Sequence, residues 1–244
     1  MRVAIISDIH SNLNALNAVL SDADRRGVDE LWCLGDIVGY GPEPRECLEI
    51  VRRRAGLCLS GNHDMGVVGK VSLAEFNPYA AAANEWTAQV MEEEELAHLG
   101  SLPAKLVWED FTLAHASPRE PVWEYVMSPP IARASFAHFE TRVCFVGHSH
   151  VPLVCPETQD GGNCSLFPLP EESPLPLGAG RTIINPGSVG QPRDGDPRAS
   201  YAIYDSQEDA LYHYRVSYDI ASTQEKMRSV GLPGYLIERL SQGH

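Results

Sequence analysis

The sequence predicts an α/β protein built on a mainly parallel sheet, and three observations carry that reading. The first segment, Arg2-Val3-Ala4-Ile5-Ile6-Ser7, is a β-branched run without polar interruption, as expected of a strand covered on both faces. Leu13, Leu16, Val19, Leu20 and Ala23 then recur at helical spacing behind Ser11 or Asn12, either of which can cap the helix. Gly27 ends that helix, and a second apolar strand, Glu30-Leu31-Trp32-Cys33-Leu34-Gly35, runs into Asp36. Strand, helix and strand in this order imply right-handed crossovers.

Further along, Pro42 and Pro44 open a helix over residues 45–53, and Leu57-Cys58-Leu59-Ser60 leads into Gly61. Residues 77–99 read as one long Ala/Glu-rich helix with the acidic run 92–95 as a solvated face. Residues 105–108 and 111–116 form a hairpin turned by Glu109 and Asp110. From Val143 the chain is strand-rich, with strands over 143–146, 151–155, 163–169 after a Gly161 and Gly162 turn, 181–185, 200–205 and 210–218. Residues 168–180 form a Pro/Gly-rich loop, and one or two helices close the chain after Asp219. We read residues 1–244 as a single domain with a helical insertion around 77–99 and a loop insertion around 156–181.

Composition narrows the function. The 244 residues carry 19 Lys+Arg against 33 Asp+Glu, a formal charge of −14, so neither a nucleic-acid polymer nor an anionic membrane is an expected partner. No stretch approaches the roughly 20 continuous apolar residues of a bilayer span. The N-terminus turns polar too early for the apolar core of a signal peptide, which makes the cytoplasm the expected compartment. The six cysteines include no Cys-x-x-Cys pair, and Cys33, Cys58 and Cys144 sit in apolar runs; they read as small buried hydrophobes rather than a disulfide framework. Nothing in the sequence marks an oligomeric state.

Five short motifs fall directly after apolar strands: Asp8-Ile9-His10-Ser11-Asn12, Gly35-Asp36-Ile37-Val38-Gly39, Gly61-Asn62-His63-Asp64, the lone His115, and Gly147-His148-Ser149-His150. In open α/β sheets sites assemble at the carboxyl ends of strands, so the five converge on one edge. They bring together Asp8, His10, Asp36, Asn62, His115, His148 and His150 as candidate metal ligands, with His63 beside them. Oxygen and imidazole donors without thiolate suit Mn, Fe, Zn, Co or Ni. Asp8 and His10, two apart on chain leaving a strand, point to one side and reach one ion. His148 and His150 either repeat that geometry or diverge to two ions. Seven such ligands exceed one metal, and two ions roughly 3.5–4 Å apart with a bridging carboxylate use them all.

The ordered set Asp-x-His, Gly-Asp-x-x-Gly, Gly-Asn-His-Asp, His and Gly-His-x-His resembles the calcineurin-like metallophosphoesterase superfamily and runs from Asp8 to His150. Asn185-Pro186-Gly187-Ser188 is similar to a segment of its small bacterial and archaeal phosphodiesterase-like branch. The resemblance implies a four-layer α/β/β/α sandwich with mixed sheets. It implies that Asp8, His10 and His150 bind one metal, that Asn62, His115 and His148 bind a second, and that Asp36 bridges them. The cofactors implied are two divalent transition-metal ions (Mn, Fe, Zn, Ni or Co), manganese first among them. His63 then faces the substrate as the catalytic residue, with Asp64 orienting its imidazole. Asn12 supports the site beside the first ligands and contacts substrate. Of Arg193 and Arg198, just past the Asn-Pro-Gly-Ser segment, Arg193 is the expected phosphate clamp, because guanidinium matches phosphate bidentately. Tyr40 is placed to line the leaving-group pocket or to pack as an ordinary aromatic.

The reaction implied is phosphoester hydrolysis by direct attack of metal-bound hydroxide, with His63 protonating the leaving alkoxide. A phosphatase of the phosphomonoesterase or phosphoprotein type is the leading expectation, acting on a small phosphoester or nucleotide. A phosphodiesterase or nucleotide-polyphosphate hydrolase uses the same residues. A non-catalytic metal-binding scaffold is the distant alternative, and the presence of His63 weighs against it. The acidic charge weighs against a DNA nuclease.

Overall fold

Val3 and Ile5 point to one face of the first strand and Ala4 and Ile6 to the other, and all four are fully buried. That alternation puts protein on both sides of the sheet. The computed structural model describes residues 1–158 and 164–244. In chain order the elements are β1 (Arg2–Ile6), α1 (Leu13–Arg25), β2 (Glu30–Cys33), α2 (Pro44–Arg54), β3 (Ala55–Cys58), α3 (Asn62–Val67), α4 (Pro78–Val90), α5 (Glu93–Ser101), β4 (Lys105–Trp108) and β5 (Phe111–Ala114). There follow α6 (Pro129–Ser135), β6 (Val143–Val146), β7 (Leu153–Pro156), β8 (Phe167–Pro168), β9 (Pro174–Pro176), β10 (Thr182–Asn185), β11 (Ala199–Asp205), β12 (Ala210–Val216), α7 (Ile220–Ser229) and α8 (Gly234–Arg239).

Two six-stranded sheets result, ordered β3-β2-β1-β11-β12-β9 and β4-β5-β6-β10-β7-β8. Val3, Ile5 and Trp32 of the first interleave with Phe111, Phe145 and Ile184 of the second to make the inner core. Ala4, Ile6 and Cys33 face outward against Leu16, Val19 and Leu48 of α1 and α2. Cys144, Val146 and Ile183 face outward under Ala132 and Phe136. Helix, sheet, sheet and helix are therefore stacked as four layers, and the fold class is the expected one.

The sheets are mixed rather than mainly parallel. Strands β1, β2 and β3 run parallel, as do β5, β6 and β10. Strand β11 joins β1 antiparallel, with Ala4 opposite Ile203, and its short connection to β12 makes a second antiparallel pair as a hairpin. The β4–β5 hairpin forms as expected, with Trp108 opposite Phe111.

Residues 77–99 differ from the single helix the composition suggests. Met91 is extended (ψ 147°) and closes α4; Glu92 then caps α5, its N–H donating to the Glu95 carboxylate at 2.7 Å. Part of the acidic run is thus a helix start, and Glu92, Glu94 and Glu95 also pair with Arg45 and Arg52 of α2. The 168–180 loop contains β9, which pairs with β12 (Leu175 opposite Leu211). Strand β8 is two residues long, and the Gly161 and Gly162 turn lies outside the described residues. Helix α6, opened by Pro129 and Pro130, was not anticipated. Cys155 and Cys164 form a disulfide, which corrects the reading of all six cysteines as free; Cys33, Cys47, Cys58 and Cys144 are unpaired. Among the described residues no helix is long and apolar enough to cross a membrane.

Candidate metal centre

Five of the six parallel strands each deliver one motif to the same edge. Asp8 and His10 follow β1, Asp36 follows β2, Asn62 opens α3 after β3, His115 follows β5, and His148 and His150 follow β6. All seven are at most 3% exposed. Five of them (Asp8, His10, Asp36, His148 and His150) have a left-handed backbone, with φ between 49° and 64°. The chain turns so tightly off each strand that these side chains swing inward. Gly61 is needed for close approach, since a Cβ there would land on the Asp36 carboxylate.

The donor atoms form two groups that meet at Asp36. Asp8, His10, Asp36 and His150 make one, and Asp36, His115 and His148 the other; within each, the ligand atoms lie within 4.8 Å of one another. Asn62 Oδ1 lies beside the second group, 3.1 Å from His115 Nε2.

Hydrogen bonding fixes the tautomers. His10 Nδ1 donates to the Val38 carbonyl at 3.2 Å, His115 Nδ1 to Leu34 at 2.9 Å and His150 Nδ1 to Gln191 at 2.5 Å. Each ring therefore turns an Nε2 lone pair inward. His10 and His150 bring those lone pairs within 3.1 Å of one another, and His115 Nε2 lies 3.4 Å from Asp36 Oδ2. Acceptors facing acceptors in a buried space call for a cation. Asp8 and Asp36 sharpen the demand, because among the described residues they pair with histidines only, never with Lys or Arg. Burial pushes the Asp36 carboxyl up, but His115 and His63 hold it well below the ordinary range. Burial likewise depresses His115, and the nearby Asp36 outweighs it and pushes the imidazole up to about 9, so without a metal ion a proton occupies the His115 Nε2 position that a cation would take. The donor set fits divalent ions of the imidazole and carboxylate class.

His63, the second residue of α3, lines a cavity of about 230 Å³ over this cluster. Its Nδ1 donates to Asn84 Oδ1 of α4 at 2.8 Å, which leaves Nε2 to exchange a proton. Burial pushes the imidazole down to about 4. Asp64 does not reach that ring by any hydrogen bond; its carboxylate accepts the N–H groups of Gly61 at 2.9 Å and Val38 at 3.0 Å. It closes the first turn of α3, and burial beside Asp36 pushes it up to about 7. The hydrogen-bond partner of the His63 ring is therefore Asn84 and not Asp64, in a segment the sequence marks only as a helix.

Arg193 lines the same cavity, held by Gln191 Oε1 at 2.8 Å with no carboxylate partner among the described residues. Arg198 is bound to Asp196 and Glu171 at the surface, away from the cavity. Tyr40 is a cavity wall. Asn12 is not: its Oδ1 caps α1 at Ala15 and its Nδ2 donates to the Gly190 carbonyl, so its amide is occupied by the scaffold rather than available to substrate.

A fold of two mixed sheets with a divided His/Asp cluster at one edge defines a metallophosphoesterase. The model of the calcineurin-like phosphoesterase superfamily domain matches residues 1–209, and the chain belongs to that superfamily of metal-dependent phosphoric ester hydrolases. A metallophosphoesterase from Sphaerobacter thermophilus is 50% identical, with a TM-score of 0.92 over 100% of this chain and 99% of that one. An uncharacterized protein of Methanocaldococcus jannaschii is 45% identical over 99% of this chain and 98% of its own length. A symmetrical bis(5'-nucleosyl)-tetraphosphatase of Psychromonas ingrahamii is 35% identical over 68 residues, which are 27% of this chain and 25% of that protein.

Proposed function

We propose that the chain is a phosphatase that hydrolyses small phosphomonoesters at a two-ion centre. The observation that carries the reading is the pair of donor groups sharing Asp36 beneath a cavity that also holds His63 and Arg193. Asp8, His10 and His150 would hold one ion and Asn62, His115 and His148 the other, with Asp36 common to both donor groups. Such ions would supply charge neutralisation for the phosphoryl oxygens and a water acidic enough to ionise near neutrality, with Mn²⁺ the first candidate. Arg193 binds a phosphoryl oxygen from the cavity wall. His63, turned by Asn84, presents Nε2 to the leaving oxygen; as the imidazolium, which the negative charge of a bound phosphate favours, it gives up its Nε2 proton and returns to the neutral Nδ1–H form, a contribution on the order of 10²–10⁴-fold.

Charge favours a monoester. Apart from the donor set, Arg193 is the one cation on the described cavity wall, and Glu75 sits on the same wall, so it compensates a single phosphoryl group rather than a long polyphosphate. Hydrolysis of nucleotide polyphosphates is the second reading, favoured by the local similarity to the tetraphosphatase.

The test is a metal-by-substrate matrix on chelator-stripped protein. Mn²⁺, Ni²⁺, Co²⁺, Zn²⁺ and Mg²⁺ are crossed with p-nitrophenyl phosphate, bis-p-nitrophenyl phosphate and diadenosine tetraphosphate. Monoester turnover that needs added metal and disappears in His63→Ala supports the proposal. A diester or tetraphosphate preference overturns the monoester assignment, and no turnover with any metal overturns the enzyme.

A further inference from the structure

The cavity has two chemically different ends. Its floor is the donor cluster, with Arg193 to one side, whereas the wall from His63 round to His148 is aromatic. Tyr40 and Phe76 flank the His63 ring with centroids at 4.2 Å and 5.0 Å. Trp123 meets Phe76 edge to face at 5.0 Å, and Tyr125 stacks on His148 at 4.0 Å with an interplanar angle of 22°. Tyr125 is 42% exposed although one of its faces is covered, so its remaining surface is open. Trp123 is half-buried on the same wall.

These rings are fixed rather than draped. The Glu120 carboxylate accepts the N–H groups of Val122 at 3.3 Å and Trp123 at 2.7 Å, and Glu124 is tied to Arg119 and to Ser117. The Trp123 carbonyl in turn accepts from His148 Nε2 at 3.2 Å, which locks the ring-bearing segment to the donor cluster. An aromatic face presented in a rigid, partly dehydrated cleft stacks on a planar group without further ordering. Glu75, on the same wall, disfavours a second negative charge at that end.

We infer that the leaving group of the substrate carries a neutral planar ring, a nucleobase or an aryl group, which packs against Trp123 and Tyr125 while its phosphate lies over the donor cluster. This rests on the phosphatase reading above and adds the substrate class to it. The bare sugar or polyol phosphates lack the part of the molecule that this wall recognises.

The experiment compares substrates with the same scissile alkoxide. Adenosine 5'-phosphate is set against ribose 5-phosphate, and benzyl phosphate against cyclohexylmethyl phosphate, with the Mn²⁺-loaded protein. For at least one pair the ringed member is expected to show about 10-fold or greater advantage in kcat/KM, the scale of one base stacked on an aromatic side chain. A preference confined to the first pair identifies a nucleobase, and one shared by both pairs an aryl group of either kind. Trp123→Leu is expected to cut the advantage towards unity, and Trp123→Tyr to restore most of it, which separates stacking from misfolding. Equal rates within both pairs, or a ratio unmoved by Trp123→Leu, overturn the inference while leaving the phosphatase reading intact. Absence of turnover on all four substrates, with turnover of bis-p-nitrophenyl phosphate, overturns both.

Discussion

His63 Nδ1 donates to Asn84 Oδ1 at 2.8 Å, a bond that ties the first turn of α3 to the middle of α4. Asn84 is fully buried, and its Nδ2 has no partner among the described residues, so the side chain has one evident use. Asn84→Ala is expected to lower kcat about 10-fold with little change in KM, the size of one net hydrogen bond. Asn84→Asp places a carboxylate there, which raises the His63 pKa and moves the alkaline limb of the rate profile, where the donated proton is lost, to higher pH. Steady-state kinetics on an alkyl phosphate monoester, whose leaving oxygen needs the proton, from pH 5 to 9 checks both, and an unaltered kcat in Asn84→Ala counts against the positioning role.

Asp36 belongs to both donor groups, whereas His148 belongs to one. Asp36→Asn is therefore expected to weaken both ions together, and His148→Ala to remove one and spare the other. Metal content after dialysis, read by plasma mass spectrometry, should fall from two ions per chain towards zero in the first variant and towards one in the second.

Gly61 leaves the Asp36 carboxylate the room that a methyl group would fill. Gly61→Ala is expected to displace Asp36, reducing metal affinity by about 10–100-fold. The added Cβ also crowds the Asp36 backbone N, so a stability loss of about 1–3 kcal/mol accompanies it. Gly69→Ala, where an added Cβ meets nothing within 4 Å, is the comparison that should leave metal binding untouched despite its own positive φ.

His213 is 3% exposed and lies away from the cavity; burial, helped by Arg215, pushes it down to about 4 from an unfolded value of 6.5. The unfolded chain therefore binds the extra proton between those values. The contribution of the group is fully present above about pH 6.5 and is lost as pH falls towards 4. Between pH 7.5 and 5 the loss is about 2 kcal/mol. Urea unfolding of wild type and His213→Gln at the two pH values should show the gap between them narrowing by about that much. A constant gap sinks the assignment.

The five motifs were legible because each sits at the end of an apolar strand, and strand ends are a one-dimensional signal. The pairing of strands from two sheets was not, since β11 inserts beside β1 some 200 residues away in sequence. Asp64 was misread for a local reason. Adjacency to His63 suggested contact, but in the first helical turn a residue three places after Gly61 folds back on the Gly61 N–H instead. That spacing is itself a helix-start signal. Asn84 leaves no such mark, because its 21-residue separation from His63 is bridged only by the packing of α4 on α3. The break at Met91 was hidden by the same acidic residues that cap the second helix.

The left-handed turns at Asp8, His10, Asp36, His148 and His150 set two requirements against each other. Ion binding asks for aspartate or histidine, whereas the backbone asks for glycine or asparagine, at about 1–3 kcal/mol per residue for the mismatch. In a descendant released from catalysis the side-chain requirement lapses and the backbone requirement remains. Positions 10, 148 and 150 should then drift to glycine or asparagine, which makes them a marker of inactivity among the relatives of this chain.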